Sequence, residues 1–137
     1  MEHAAFALKL RDATNSRSVT QVLGCFAEDY VNETPAHPGR GFTGRDQVRG
    51  NWAQIFAAVP DHTATLLASA QVADTVWTEW EMQGTRTDGA AHHMCGPIVF
   101  VVRDGLARSA RFYLERVDEP DDSDTDADAA VRGILAG

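Results

Sequence analysis

The side chains able to carry acid–base or metal chemistry fall in a few short runs. Glu79 and Glu81 are two residues apart, and paired carboxylates can divide general-acid and general-base roles when their surroundings split their pKa values. On a strand such residues share a face, and this face also holds Arg111 and Glu115. Cross-strand ion pairing is therefore the simpler reading. His92, His93 and Cys95 have the residue types of a zinc site. A site needs three or four converging ligands, and on a strand His92 points opposite to both His93 and Cys95, so no metal is expected. His93 alone is a candidate acid or base at a pocket rim if its strand carries a bulge. Tyr30 and Asn32 could form the polar floor of a pocket, or equally satisfy loop backbone. Glu33, His37 and His62 lie in or beside a Pro/Gly-rich loop, which favours exposed roles.

The elements that must position these groups follow from periodicity. Phe6, Leu10 and Ala13 share a helical face, Asn15 to Ser18 are cap-type residues, and Val19, Val22, Leu23 and Phe26 recur at helical spacing. Two short helices thus precede Tyr30. Pro35, Pro38, Gly39, Gly41 and Gly44 make the stretch from Asn32 to Gly44 an irregular loop. Thr43 and Asp46 have the spacing of a capping box, and Val48, Trp52, Ile55, Phe56 and Val59 mark an amphipathic helix stopped by Pro60. Beyond Asp61 the pattern changes to alternation. Runs 64 to 72, 75 to 84, 92 to 103 and 106 to 117 are joined at Ala73-Asp74, Asp88-Gly89 and Asp104-Gly105, a meander of four strands. The expected class is α+β: three N-terminal helices packed on a curved antiparallel four-strand meander, forming a cone with an apolar pocket.

Composition sets outer bounds. The 137 residues are 44% hydrophobic and 23% charged, with a formal charge of -8, which fits one domain and excludes a disordered polymer. Seven acidic residues and no Lys or Arg lie within 118 to 128, so residues 1 to 117 form a nearly neutral domain. Residues 118 to 137 read as an acidic, disordered tail. Neither nucleic acid nor an anionic membrane has the basic patch it would need. Cys25 and Cys95 read as free thiols in a reducing compartment. Residues 1 to 12 hold no secretory or membrane-spanning apolar run, and a soluble, cytoplasmic protein is expected.

Several local motifs resemble the nuclear transport factor two-like, or SnoaL-like, superfamily of cystatin-like α+β proteins. They are Ala27-Glu28-Asp29-Tyr30-Val31-Asn32 before the Pro/Gly loop, Thr43-Gly44-Arg45, Pro60-Asp61, Trp80-Glu81-Met82-Gln83-Gly84, and Asp104-Gly105 with Arg111-Phe112-Tyr113-Leu114-Glu115. The resemblance spans residues 2 to 117 and implies the cone fold, but not one chemistry, because this scaffold hosts isomerases, cyclases, hydrolases and binding domains. Where ketosteroid isomerases of this fold hold tyrosine and two carboxylic acids, the chain has Leu10, Thr34 and, approximately, Ile98. Where polyketide cyclases and limonene-type epoxide hydrolases share an aspartate, it has Phe112. The cyclase histidine aligns with Ile98, and the epoxide hydrolase arginine and second aspartate fall near Thr78 and Trp80. Tyr30 and Asn32 match the residues that hold water in the epoxide hydrolases.

With Phe112 facing inward, strand parity puts Val76, Thr78, Trp80, Met82, Ile98, Phe100 and Leu114 on the same inner surface, capped by Trp52 and Phe56. This face carries no acid or base. The expectation is a protein that binds a small apolar ligand, polycyclic or terpenoid-like, through Tyr30, Asn32, Trp52, Phe56, Thr78, Trp80, Ile98, Phe100, Phe112 and Leu114, with no cofactor. The alternative is a cofactor-independent cyclase or isomerase with an unusual acid or base such as His93, Glu33 or His37. Val99 and Val101 then face outward, which predicts a homodimer through the outer sheet face.

Overall fold

The computed structural model describes residues 2–119 and 126–137. Two helices open the chain, α1 (Ala5–Asn15) and α2 (Val19–Leu23). The Ser18 hydroxyl caps α2 by accepting from Gln21 N–H, and Gly24 ends it. The chain then enters strand β1 (Phe26–Glu33) instead of extending the helix through Phe26. In β1, Phe26, Ala27, Tyr30 and Asn32 are buried while Glu28 and Asp29 face solvent, and the register shifts between Phe26 and Val31. That irregularity hides the period of two, so the apolar spacing into Phe26 imitates a helix.

The presumed loop contains a single 3-10 turn (Pro38–Arg40) and a two-residue strand, β2 (Phe42–Thr43), paired with β1. Helix α3 (Arg45–Ala58) follows, but the capping box does not form. Thr43 is held in β2, Gly44 takes the N-cap position with its N–H donated to Tyr30 O at 2.7 Å, and the Asp46 carboxylate accepts from Arg49 instead.

The meander comprises β3 (Thr63–Val72), β4 (Thr75–Thr85), β5 (Ala91–Arg103) and β6 (Leu106–Phe112), all antiparallel. It lies within a seven-stranded sheet of order β2-β1-β6-β5-β4-β3, in which β1 runs parallel to β6. Asp104 and Gly105, both at positive φ, close the β5–β6 hairpin as expected for a primed turn. The last expected run is interrupted after Phe112. It resumes as β7 (Glu115–Arg116), paired with β5 at Met94 and Cys95. The break faces Gly96 at φ +139, where a Cβ would strike Tyr113 O, so only glycine lets the two segments approach.

Helix α1 packs on β3 and β4, and α2 packs on α3. The Phe6 ring meets Phe100 edge-on at 5.0 Å, and Trp80, Phe100, Ile98 and Val76 are fully enclosed. On the opposite face Val99 is only 1% exposed within the single chain, since its strand neighbours are Trp77 and Arg111. Val99 therefore does not require a partner to cover it. Trp77, 50% exposed, and Val72, 70% exposed, are large apolar groups that this face leaves open.

The disorder expected for 118 to 137 falls partly on residues 120–125, outside the described residues. Ala127–Ala136 instead form helix α4, longer than the turn expected at Val131 to Leu135, with Asp126 as N-cap. None of the α4 side chains is buried, and Ile134 is 78% exposed. No helix among the described residues is long and apolar enough to cross a membrane.

Candidate functional site

A cavity of about 280 Å³ opens at the wide end of the cone. Helix α3 roofs it with Val48, Asn51, Trp52 and Ile55, whose spacing places them on one helical face. Strand β1 contributes Phe26, Tyr30 and Asn32, β2 Phe42, β4 Met82, and β5 His92 and Met94. Phe112 and Leu114 close one wall, and Thr34, Arg40 and His62 come from connecting segments.

Of the residues expected to bind ligand, Tyr30, Asn32, Trp52, Phe112 and Leu114 meet at this cavity. Thr78, Trp80, Ile98 and Phe100 do not reach it: they face inward but lie at the narrow end, which α1 fills. Parity fixes which face a side chain takes and says nothing of its depth. Thr78 serves the core, accepting from Trp80 Nε1–H at 2.7 Å and donating to Ile98 O at 2.6 Å. Phe56, one turn beyond Trp52, packs against the Trp52 and His62 rings behind the cavity wall.

The polar residues are redistributed more sharply. His93 lies on the outer face, its Nε2 2.7 Å from Glu81 Oε2. Glu81 is thus hydrogen-bonded across strands to His93, and no ion pair to Arg111 occurs among the described residues. Glu33 is exposed, and His37 meets Glu115 at 2.8 Å. The histidine on the cavity wall is His92, which has the same parity as Ile98 and Phe112. That signal was present in the sequence. His62 corrects the expectation of an exposed loop role, being 1% exposed. Its ring packs against those of Trp52, Phe56 and His92, and the bare Gly84 lets the segment just before it approach β4, since a Cβ there would strike Val59 and crowd Asp61 Oδ1.

The two imidazoles face each other with ring centroids 5.7 Å apart, so the cavity holds titrating groups where none was expected. Trp52 meets His62 edge-on at 5.7 Å, and His62 Nδ1 has no hydrogen-bond partner among the described residues. Burial, with His92 and Arg17 adding, depresses the His62 pKa to about 4, while Asp61 pulls the other way. Burial, Arg86 and His93 also lower His92. Both rings are therefore neutral near pH 7. Tyr30 O–H donates to Asn32 Oδ1 at 2.7 Å, which leaves the Asn32 amide N–H groups as donors, and burial pushes the Tyr30 phenol well above its ordinary range. Asp61, its carboxylate accepting from Thr85 N–H at 2.7 Å and so held below the usual range, does not line the cavity. Among the described residues no three His, Cys, Asp or Glu side chains converge as a metal site would require. The arrangement can bind an apolar molecule, donate hydrogen bonds, and accept or release a proton at imidazole.

A family model described as the SnoaL-like domain matches residues 7–110. No curated protein matches the chain. Among solved structures, a hypothetical protein with a ketosteroid isomerase-like fold from Catenulispora acidiphila, in complex with trimethylamine, superposes with a TM-score of 0.70 at 16% identity, covering 88% of this chain and 90% of its own. Wild-type IdmH of Streptomyces antibioticus, provisionally described as a polyketide cyclase, gives 0.68 at 26% identity, covering 80% and 88%. A protein from Kribbella flavida, provisionally described as a ketosteroid isomerase, gives 0.64 at 25% identity, covering 85% and 79%.

Proposed function

The chain belongs to the SnoaL-like domain family, and from that premise we propose that its cone binds a small, mostly apolar molecule, polycyclic or terpenoid-like, without the carboxylates used by related enzymes. One observation carries this reading: none of the cavity-lining residues is Asp or Glu, and most are aromatic or aliphatic. Tyr30, Asn32 and Asn51 supply a few oriented polar groups, the usual composition of a ligand pocket.

Tryptophan quenching by a neutral bicyclic or steroid-like probe tests it. Trp52 is on the wall, Trp80 is enclosed in the core and Trp77 is on the outer face. Quenching should therefore be saturable and should be largely lost in Trp52→Phe. Quenching that survives this substitution unchanged places the ligand elsewhere.

The facing His62 and His92 rings favour a second reading, a cofactor-independent cyclase or isomerase whose acid or base is His92 in place of His93. Its mark is turnover of a polyketide or ketosteroid substrate that His92→Gln abolishes and His93→Gln preserves.

We also propose that two copies associate through the outer sheet face. Support comes from the exposure of Trp77 and Val72 there. Light scattering should give twice the chain mass, reduced to one by Trp77→Glu. A monomeric parent at micromolar concentration excludes it.

A further inference from the structure

We propose that the cavity selects an apolar molecule bearing one acidic group, bound as its anion by Arg40 and the His62–His92 pair. This rests on the binding reading above and names the class of its ligand. The lining holds one permanent cation, Arg40, and no carboxylate to neutralise it. No ion pair to Arg40 occurs among the described residues. A guanidinium at a mostly apolar cavity can meet a carboxylate in two parallel hydrogen bonds.

His62 points the same way. Its ring is among those lining the cavity, and its enclosed Nδ1 has no hydrogen-bond partner among the described residues to hold the imidazole in its neutral form. The charged neighbours favour an anion as well. Arg17 Nη1 donates to His62 O at 3.2 Å, and Arg86 lies close enough to His92 to oppose its protonation. On the negative side, Asp61 is held by Thr85 N–H, and Glu81 is engaged by His93 on the far side of the sheet. A neutral ligand would leave the Arg40 guanidinium, the permanent cation of the lining, without a counter-charge in the cavity. An anion beside the two rings favours their protonated forms, so its binding takes up protons.

Titrations with 2-naphthoate and 2-naphthamide, which share a ring system and differ in charge, separate the possibilities. At pH 6 the naphthoate should bind about tenfold more tightly, the difference between a charge-assisted and a neutral hydrogen bond. The preference should shrink toward pH 8, where imidazole protonation is harder to achieve, while naphthamide binding stays flat. Arg40→Gln, at an exposed position tolerant of change, should weaken naphthoate and spare naphthamide. His92→Gln should flatten the pH dependence. Equal affinities, or a preference for the amide, overturn the inference and leave the binding reading standing. Failure of both probes to bind overturns the two together.

Discussion

Replacing His62 with phenylalanine should remove much of the dependence of stability on pH between 7 and 5. The ring is 1% exposed and its pKa is lowered to about 4, chiefly by burial. In the unfolded chain the same group titrates near 6.5. Between those values the unfolded chain holds a proton that the folded chain lacks, so stability falls as pH falls. The loss begins as pH drops through the unfolded value and levels off below the folded one. A depression of roughly 2.5 units corresponds to about 3 kcal/mol in full, of which about 2 kcal/mol accrues between pH 7 and pH 5. Phenylalanine keeps the edge-on contacts to Trp52 and Phe56 and removes both the titration and the orphan Nδ1. Urea unfolding of parent and variant at the two pH values measures the effect. The stability difference, variant minus parent, should grow by about 2 kcal/mol on going to pH 5. His62→Leu should show the same slope, whatever its packing cost at pH 7. Parallel losses in parent and both variants would refute the assignment of His62 as a buried neutral imidazole.

Three further outcomes follow from the same geometry. Thr78→Val keeps shape but orphans Trp80 Nε1–H and should cost about 1–3 kcal/mol, more than Thr78→Ser; the reverse order of urea midpoints would assign Thr78 to packing alone. Gly96→Ala drives a Cβ into Tyr113 O at a left-handed φ and should cost more than about 2 kcal/mol while moving Leu114 off the cavity wall, so a melting temperature and ligand affinity equal to those of the parent would contradict it. Truncation after Val117 removes α4, whose side chains are unburied, and should leave the melting temperature within a few degrees; a large drop would show that the helix docks on the core.

The meander was legible because β4 alternates cleanly and turns such as Asp104-Gly105 punctuate the runs, and the α3 stripe because Val48, Trp52 and Ile55 repeat at helical spacing. Strand β1 was not, because its register shift breaks the alternation and its pairing partner β6 lies some eighty residues away in sequence. For the cavity, parity located Phe112 and Leu114. It could not tell them from Trp80 or Phe100, whose enclosure depends on where α1 lies. His92 was readable from the parity of Ile98. His62 was not, since its enclosure comes from packing against Trp52, Phe56 and His92 on other elements, which no local pattern announces. Arg40 reaches the cavity from a 3-10 turn that no periodicity announces.

The back-to-back placement of neighbours on β5 bears on how this wall could change chemistry. Gly96 pins the strand at its close approach to Tyr113, and the turn over residues 86–90 gives slack at the other end. One residue inserted between Cys95 and Gly96 would therefore shift everything before it by a single position and exchange the faces. His92 and Met94 would leave the cavity, and His93 and Cys95 would enter it. The wall would then hold a thiol two residues from an imidazole, the raw material of a nucleophile. The outer surface thus carries a second pair of reactive side chains, His93 and Cys95, one inserted residue away from the cavity.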